Sequence, residues 1–61
     1  MSERAKYLWT RREFLIEQAI IYGAWPFLAR EAVASVAIEH PEWDMDEKRP
    51  WSAWERDGVQ P

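Results

Sequence analysis

The sequence predicts an all-α fold: a small helical hairpin over about residues 10–23 and 26–40, with a short C-terminal helix over about 50–57 folded back onto it by tryptophans. Three observations predict it. Thr10 and Glu13 have the spacing of a capping box, in which the hydroxyl accepts from one amide and the carboxylate reaches back to the other. The apolar stretch that follows is broken at Gly23-Ala24-Trp25-Pro26. An alanine-rich segment then runs to Pro41, which ends it.

Residues 1–9 read as an extended lead-in anchored by Tyr7, Leu8 and Trp9. Trp9 lies one residue before the cap and Phe14 four after it, the spacing of a hydrophobic staple. A helix starting near Ser2 would also put Ala5, Leu8, Trp9, Leu15, Ile16 and Ala19 near one stripe, but two independent signals favour Thr10. From Phe14 to Tyr22 the first helix is apolar on more than one side, so it should meet two surfaces. Gly23 suits the left-handed position past a helix end, and Pro26 suits the first position of the next helix. Small residues in the second helix (Ala29, Ala32, Ala34, Ser35 and Ala37) permit close helix approach.

Residues 40–50 form a polar connector between Pro41 and Pro50 in which Asp44 and Glu47 repeat the capping-box spacing, consistent with a single helical turn. Pro50 can open a last helix that Gly58 ends, and Val59 to Pro61 should fray. The whole, residues 1–61, is one small domain: a lead-in, a hairpin over 10–40, and an acidic, tryptophan-rich tail over 41–61.

Size and composition narrow the class of function. A 7.3 kDa chain without cysteine has neither disulfide nor thiolate zinc site. A core this small rarely supplies more than about 3–5 kcal/mol, so a partner or a second copy would help it. No signal-peptide pattern opens the sequence, and the apolar run from Leu15 to Leu28 is too short and too interrupted to span a membrane. A cytoplasmic protein is expected. The net charge of −3 is uneven: +2 over residues 1–14, −1 over 15–37 and −4 over 38–61. Such a tail repels a phosphate backbone, which disfavours direct nucleic-acid binding.

Catalytic chemistry has no motif. His40 is the single histidine and sits at a helix end, Ser35 lacks the glycines of a nucleophile elbow, and Glu13 is engaged by the cap. Asp44-Met45-Asp46 lacks the glycine and late glutamate of a calcium loop, so no metal or cofactor is expected. The expectation is a non-enzyme.

Binding is what remains. Glu42, Asp44, Asp46 and Glu47 surround Trp43, with Trp51 and Trp54 just beyond. Those seven residues are the candidate partner site: acids steer towards a basic protein surface, and tryptophan is enriched among residues that dominate interface energy. The competing reading has the tryptophans closing the core and the acids merely solvated. Trp9 belongs to the staple, and Trp25 could plug the open end of the hairpin.

The function expected first is a stoichiometric inhibitor or modulator docking on a basic, nucleic-acid-handling protein complex. Phage-encoded anti-restriction and anti-CRISPR inhibitors offer an analogy of size and charge, which transfers no residues. The alternatives are an accessory subunit or a homodimer using the Ile20/Ile21 or Val33/Val36 faces. A helix-turn-helix regulator ranks last, because the second helix carries Arg30 as its one cation.

Overall fold

The computed structural model describes residues 6–57, in the order β1 (Leu8–Thr10), α1 (Arg11–Ile21), α2 (Pro26–Glu39), β2 (Lys48–Pro50) and α3 (Trp51–Arg56). Ser2, Ala5, Gly58 and the terminal Val59 to Pro61 lie outside the described residues. The fold is mostly helical but not purely so, which corrects the all-α expectation. β1 and β2 pair antiparallel, with Leu8 opposite Pro50, Trp9 opposite Arg49 and Thr10 opposite Lys48. The physical reason lies in the fold-back: docking α3 on α1 brings residue 48 beside residue 10, and both segments are already extended because each leads into a helix cap.

The local signals around α1 are realised atom by atom. The Glu13 amide donates to Thr10 Oγ1 at 3.0 Å, and the Thr10 amide donates to Glu13 Oε1 at 2.9 Å. A helix start leaves four backbone donors without partners. Two more are met by the connector, since the Arg11 amide donates to the Glu47 carbonyl at 3.0 Å and the Arg12 amide to Met45 at 3.1 Å. At the other end the Gly23 amide donates to Ile20 and the Ala24 amide to Ala19, both at 2.9 Å. These two bonds make a Schellman motif, with Gly23 at φ 108° as its left-handed residue. Pro26 then opens α2, and His40 closes it with its amide on the Val36 carbonyl.

Residues 44–47 form a turn, not the helical turn that their spacing allows. The Glu47 amide donates to the Asp44 carbonyl, and the Asp46 amide to Asp44 Oδ1 at 3.0 Å. The Glu47 carboxylate faces Arg11 and Arg49, so it does not complete a capping box with Asp44.

The core sits where α1, α2, the connector and α3 converge: Phe14, Leu15, Val33, Met45 and Trp54 are buried, with Trp9, Ile16, Val36, Ala37, Trp43 and Trp51 packed around them. Ala29 is also buried. Trp51 touches both staple residues, its ring centroid 5.1 Å from Trp9 and 4.7 Å from Phe14. The two rings of the expected staple are thus joined through a third, Trp51.

Candidate functional site

The predicted site residues divide by environment. Trp54 has no exposed surface. It stacks on Phe14, and its Nε1 donates to the Trp9 carbonyl at 2.8 Å. A ring so enclosed serves the core and offers a partner nothing. Trp51 is half-buried between Trp9 and Phe14. Trp43 is half-buried and stacks on His40, with centroids 4.0 Å apart and planes 7° from parallel.

The acids are drawn onto the chain's own cations. Arg11, in α1, has a side chain only 12% exposed. Its Nη2 donates to Glu47 Oε1 at 3.2 Å and its Nε to the Asp44 carbonyl at 3.3 Å. Its guanidinium carbon lies 5.3 Å from the Trp43 ring and 4.8 Å from the Trp54 ring. Arg49, from β2, donates to Glu47 Oε2 at 2.7 Å, pairs with Asp57, and lies 4.7 Å from the Trp54 ring. Hydrogen bonding from Arg49, then the charges of Arg49 and Arg11, hold the Glu47 carboxyl below the usual carboxylate range. Glu42 is lowered too, chiefly by its hydrogen bond with His40 and then by one from its own backbone.

On the outside of this lock Arg12 meets Asp46 at 2.7 Å, and Glu42, Asp44 and Asp46 are exposed. Exposed pairs of this kind contribute about 0–1 kcal/mol, so a partner's cation could replace Arg12 at little cost. Among the described residues no group of His, Asp and Glu is arranged to hold a metal ion. Nor is any described helix long and apolar enough to cross a membrane.

The other end of the hairpin was missed. Tyr22 is 81% exposed, Trp25 70% and Phe27 61%. Ile21 and Leu28 are also exposed, as is Ile38 near the far end of α2. Trp25 therefore does not plug the end of the hairpin; it stands out from it. A signal existed: no charged residue occurs from Gln18 to Ala29. Read as sequence, that run looks like core. In the fold, α2 turns only Ala29 and Val33 fully inward, with Val36 and Ala37 half-buried. The expected Val33/Val36 contact face is therefore spent inside the hairpin.

A shallow open recess beside Tyr7, Leu8, Trp9 and Glu13 is lined by too few polar groups to orient a small molecule. No family model, curated protein sequence or solved structure matches this chain.

Proposed function

We propose that this chain is a stoichiometric protein-binding module, not a catalyst, and that it docks through the apolar end of its helical hairpin. One observation carries the reading. Tyr22, Trp25 and Phe27 are each more than half exposed, at and just beyond a turn closed by the Schellman motif. Tyrosine and tryptophan are the residue types that dominate interface energy, and a closed turn loses little entropy on docking.

A second reading keeps the acidic end. Glu42, Asp44 and Asp46 are exposed on a turn fixed by the α1 amides, beside the half-buried Trp43. That surface suits the basic face of a nucleic-acid-handling complex, whose activity the chain would inhibit or modulate. It ranks second because Arg11, Arg12 and Arg49 already answer much of its charge. A DNA-reading role ranks below both, since α2 contributes only Arg30.

A nuclease-treated affinity capture of the tagged chain separates these readings. A partner lost with Tyr22→Ala/Trp25→Ala and retained in high salt supports apolar docking. A partner lost with Asp44→Asn/Asp46→Asn and weakened by salt supports the acidic surface. A partner indifferent to both pairs overturns both readings.

A further inference from the structure

We propose that His40, Glu42 and Trp43 form a proton-operated clasp, which fastens the acidic connector to the end of α2 and tightens when the imidazole takes up a proton. The inference needs neither docking reading above.

The clasp is built on the turn by which the chain leaves α2. His40 caps that helix, its amide donating to the Val36 carbonyl at 2.9 Å, and the Trp43 amide donates to the His40 carbonyl at 3.0 Å. Pro41 lies between them with its φ fixed by the ring. Across this turn the imidazole meets two groups at once. Its ring lies flat on the Trp43 indole, centroids 4.0 Å apart and planes 7° from parallel. Its Nδ1 is 3.0 Å from Glu42 Oε2. An ionised carboxylate only accepts hydrogen bonds, so Nδ1 carries the hydrogen and Nε2 is the nitrogen left to take a proton. The side chain is 32% exposed, so that proton comes from water without the turn opening.

The surroundings favour the charged ring. Protonation turns the bond to Glu42 into an ion pair. The end of α2 adds the negative pole of the helix dipole, and the indole face attracts a cation. Glu39 precedes His40 on α2 and Asp44 follows in the connector, adding negative charge on both sides of it in sequence. Against them stands Arg11 from α1, whose guanidinium carbon lies 5.3 Å from the Trp43 ring centroid. Its charge is answered by Glu47 at 3.2 Å, which also holds Arg49 from β2. Acids are left in excess around His40. Imidazole is the side chain that ordinarily changes charge between about pH 5 and 8, where carboxylates stay ionised.

The effect reaches beyond the turn. Trp43 packs against the core, and the connector supplies the Met45 and Glu47 carbonyls that receive the Arg12 and Arg11 amides. A proton on His40 therefore steadies the seat of the connector on α1. A ring that gains partners on protonation contributes most in mild acid, and that contribution is lost as pH rises. Glu42, held by a charged ring, is also one acid fewer on the exposed face of the connector. Acid thus tightens the clasp and thins that surface together.

Thermal unfolding of the full chain and of His40→Gln, each at about pH 8 and about pH 5.5, tests this. The parent's advantage in Tm should grow by about 3 °C or more at the lower pH. Glu42 stays ionised there, because this same bond holds its carboxyl below the ordinary 4.5. Glu42→Gln should remove at least about half of that growth, since it removes the ion pair and leaves the helix end. Undiminished growth without the carboxylate would assign it to the α2 dipole alone and overturn the clasp. An advantage that is flat or shrinks in acid overturns it too. Should a variant fail to fold, the folded parent still answers by NMR. The Trp43 indole resonances should shift over the same pH range while those of Trp25 stay still, and an unmoving Trp43 overturns the proposal.

Discussion

Trp54 and Trp25 stand at opposite ends of one hairpin, the first without exposed surface and the second 70% exposed. Around Trp54 the chain closes on itself. Two arginines lie against the ring, Phe14 stacks on it, and the connector supplies carbonyls to the first amides of α1. Around Trp25 the chain satisfies its backbone through Gly23 and Pro26 and leaves the side chains in water. The same residue type thus does opposite work. What separates the two is whether a distant segment folds back. Residues 41–57 return to the start of α1, and none of the core that they complete reaches the turn at 22–25.

The largest effect that can break this comparison is at Trp54. Trp54→Ala removes a fully buried ring and should cost about 3–5 kcal/mol. That equals the roughly 3–5 kcal/mol that a core of this size can supply, so the variant should lack a cooperative thermal transition. Trp25→Ala, measured dilute enough to exclude association, should lie within about 0.5 kcal/mol of the parent. Equal losses from the two substitutions would mean that the open end is as structural as the closed one.

A middle-sized effect sharpens the comparison within the closed end. Arg11 holds Glu47 and the Asp44 carbonyl while lying near two indole rings. Lysine cannot reproduce that planar fork, so Arg11→Lys should lose about 1.5–3 kcal/mol in chemical denaturation. Arg12→Lys, on the exposed pair with Asp46, should lose under about 0.5 kcal/mol. Similar losses at both positions would show that the aromatic cage around Arg11 contributes nothing of its own.

Much of the hairpin was legible because its signals are local. Thr10 with Glu13, Gly23 at its positive φ, and Pro26 at the first position of α2 each concern atoms within one turn. The fold-back of Trp51 and Trp54 was legible as well, since a small core needs such rings. The β1–β2 pair was not, because three-residue strands have no periodicity and their partners lie about forty positions apart. Which of the core and partner roles Trp54 takes, and that Trp25 stays open, was not legible for a related reason. Proximity to acids suggests exposure and an apolar neighbourhood suggests burial. Here the neighbouring cations of Arg11 and Arg49 cover Trp54, and among the described residues none returns to cover Trp25.

The smallest effect asks whether the closed end can be loosened without touching the open one. Hydrogen bonds and charge from Arg49 and Arg11 hold the Glu47 carboxyl below its ordinary 4.5. The folded chain therefore binds that proton less readily than the unfolded chain. The stabilisation is present above the ordinary value and is lost as pH falls through the depressed one. Glu47→Gln should be less stable than the parent at neutral pH, and the difference should shrink below about pH 5 and vanish in stronger acid. Glu42→Gln should follow the same sign through its bond with His40. From Gln18 to Ala29 there is no carboxylate and no histidine, so the exposure of Trp25, read by solvent-paramagnetic NMR, should hold steady from neutral pH down to about pH 5. Exposure that changed in step with Glu47 protonation would show the two ends to be one cooperative unit, and the division between them would fail.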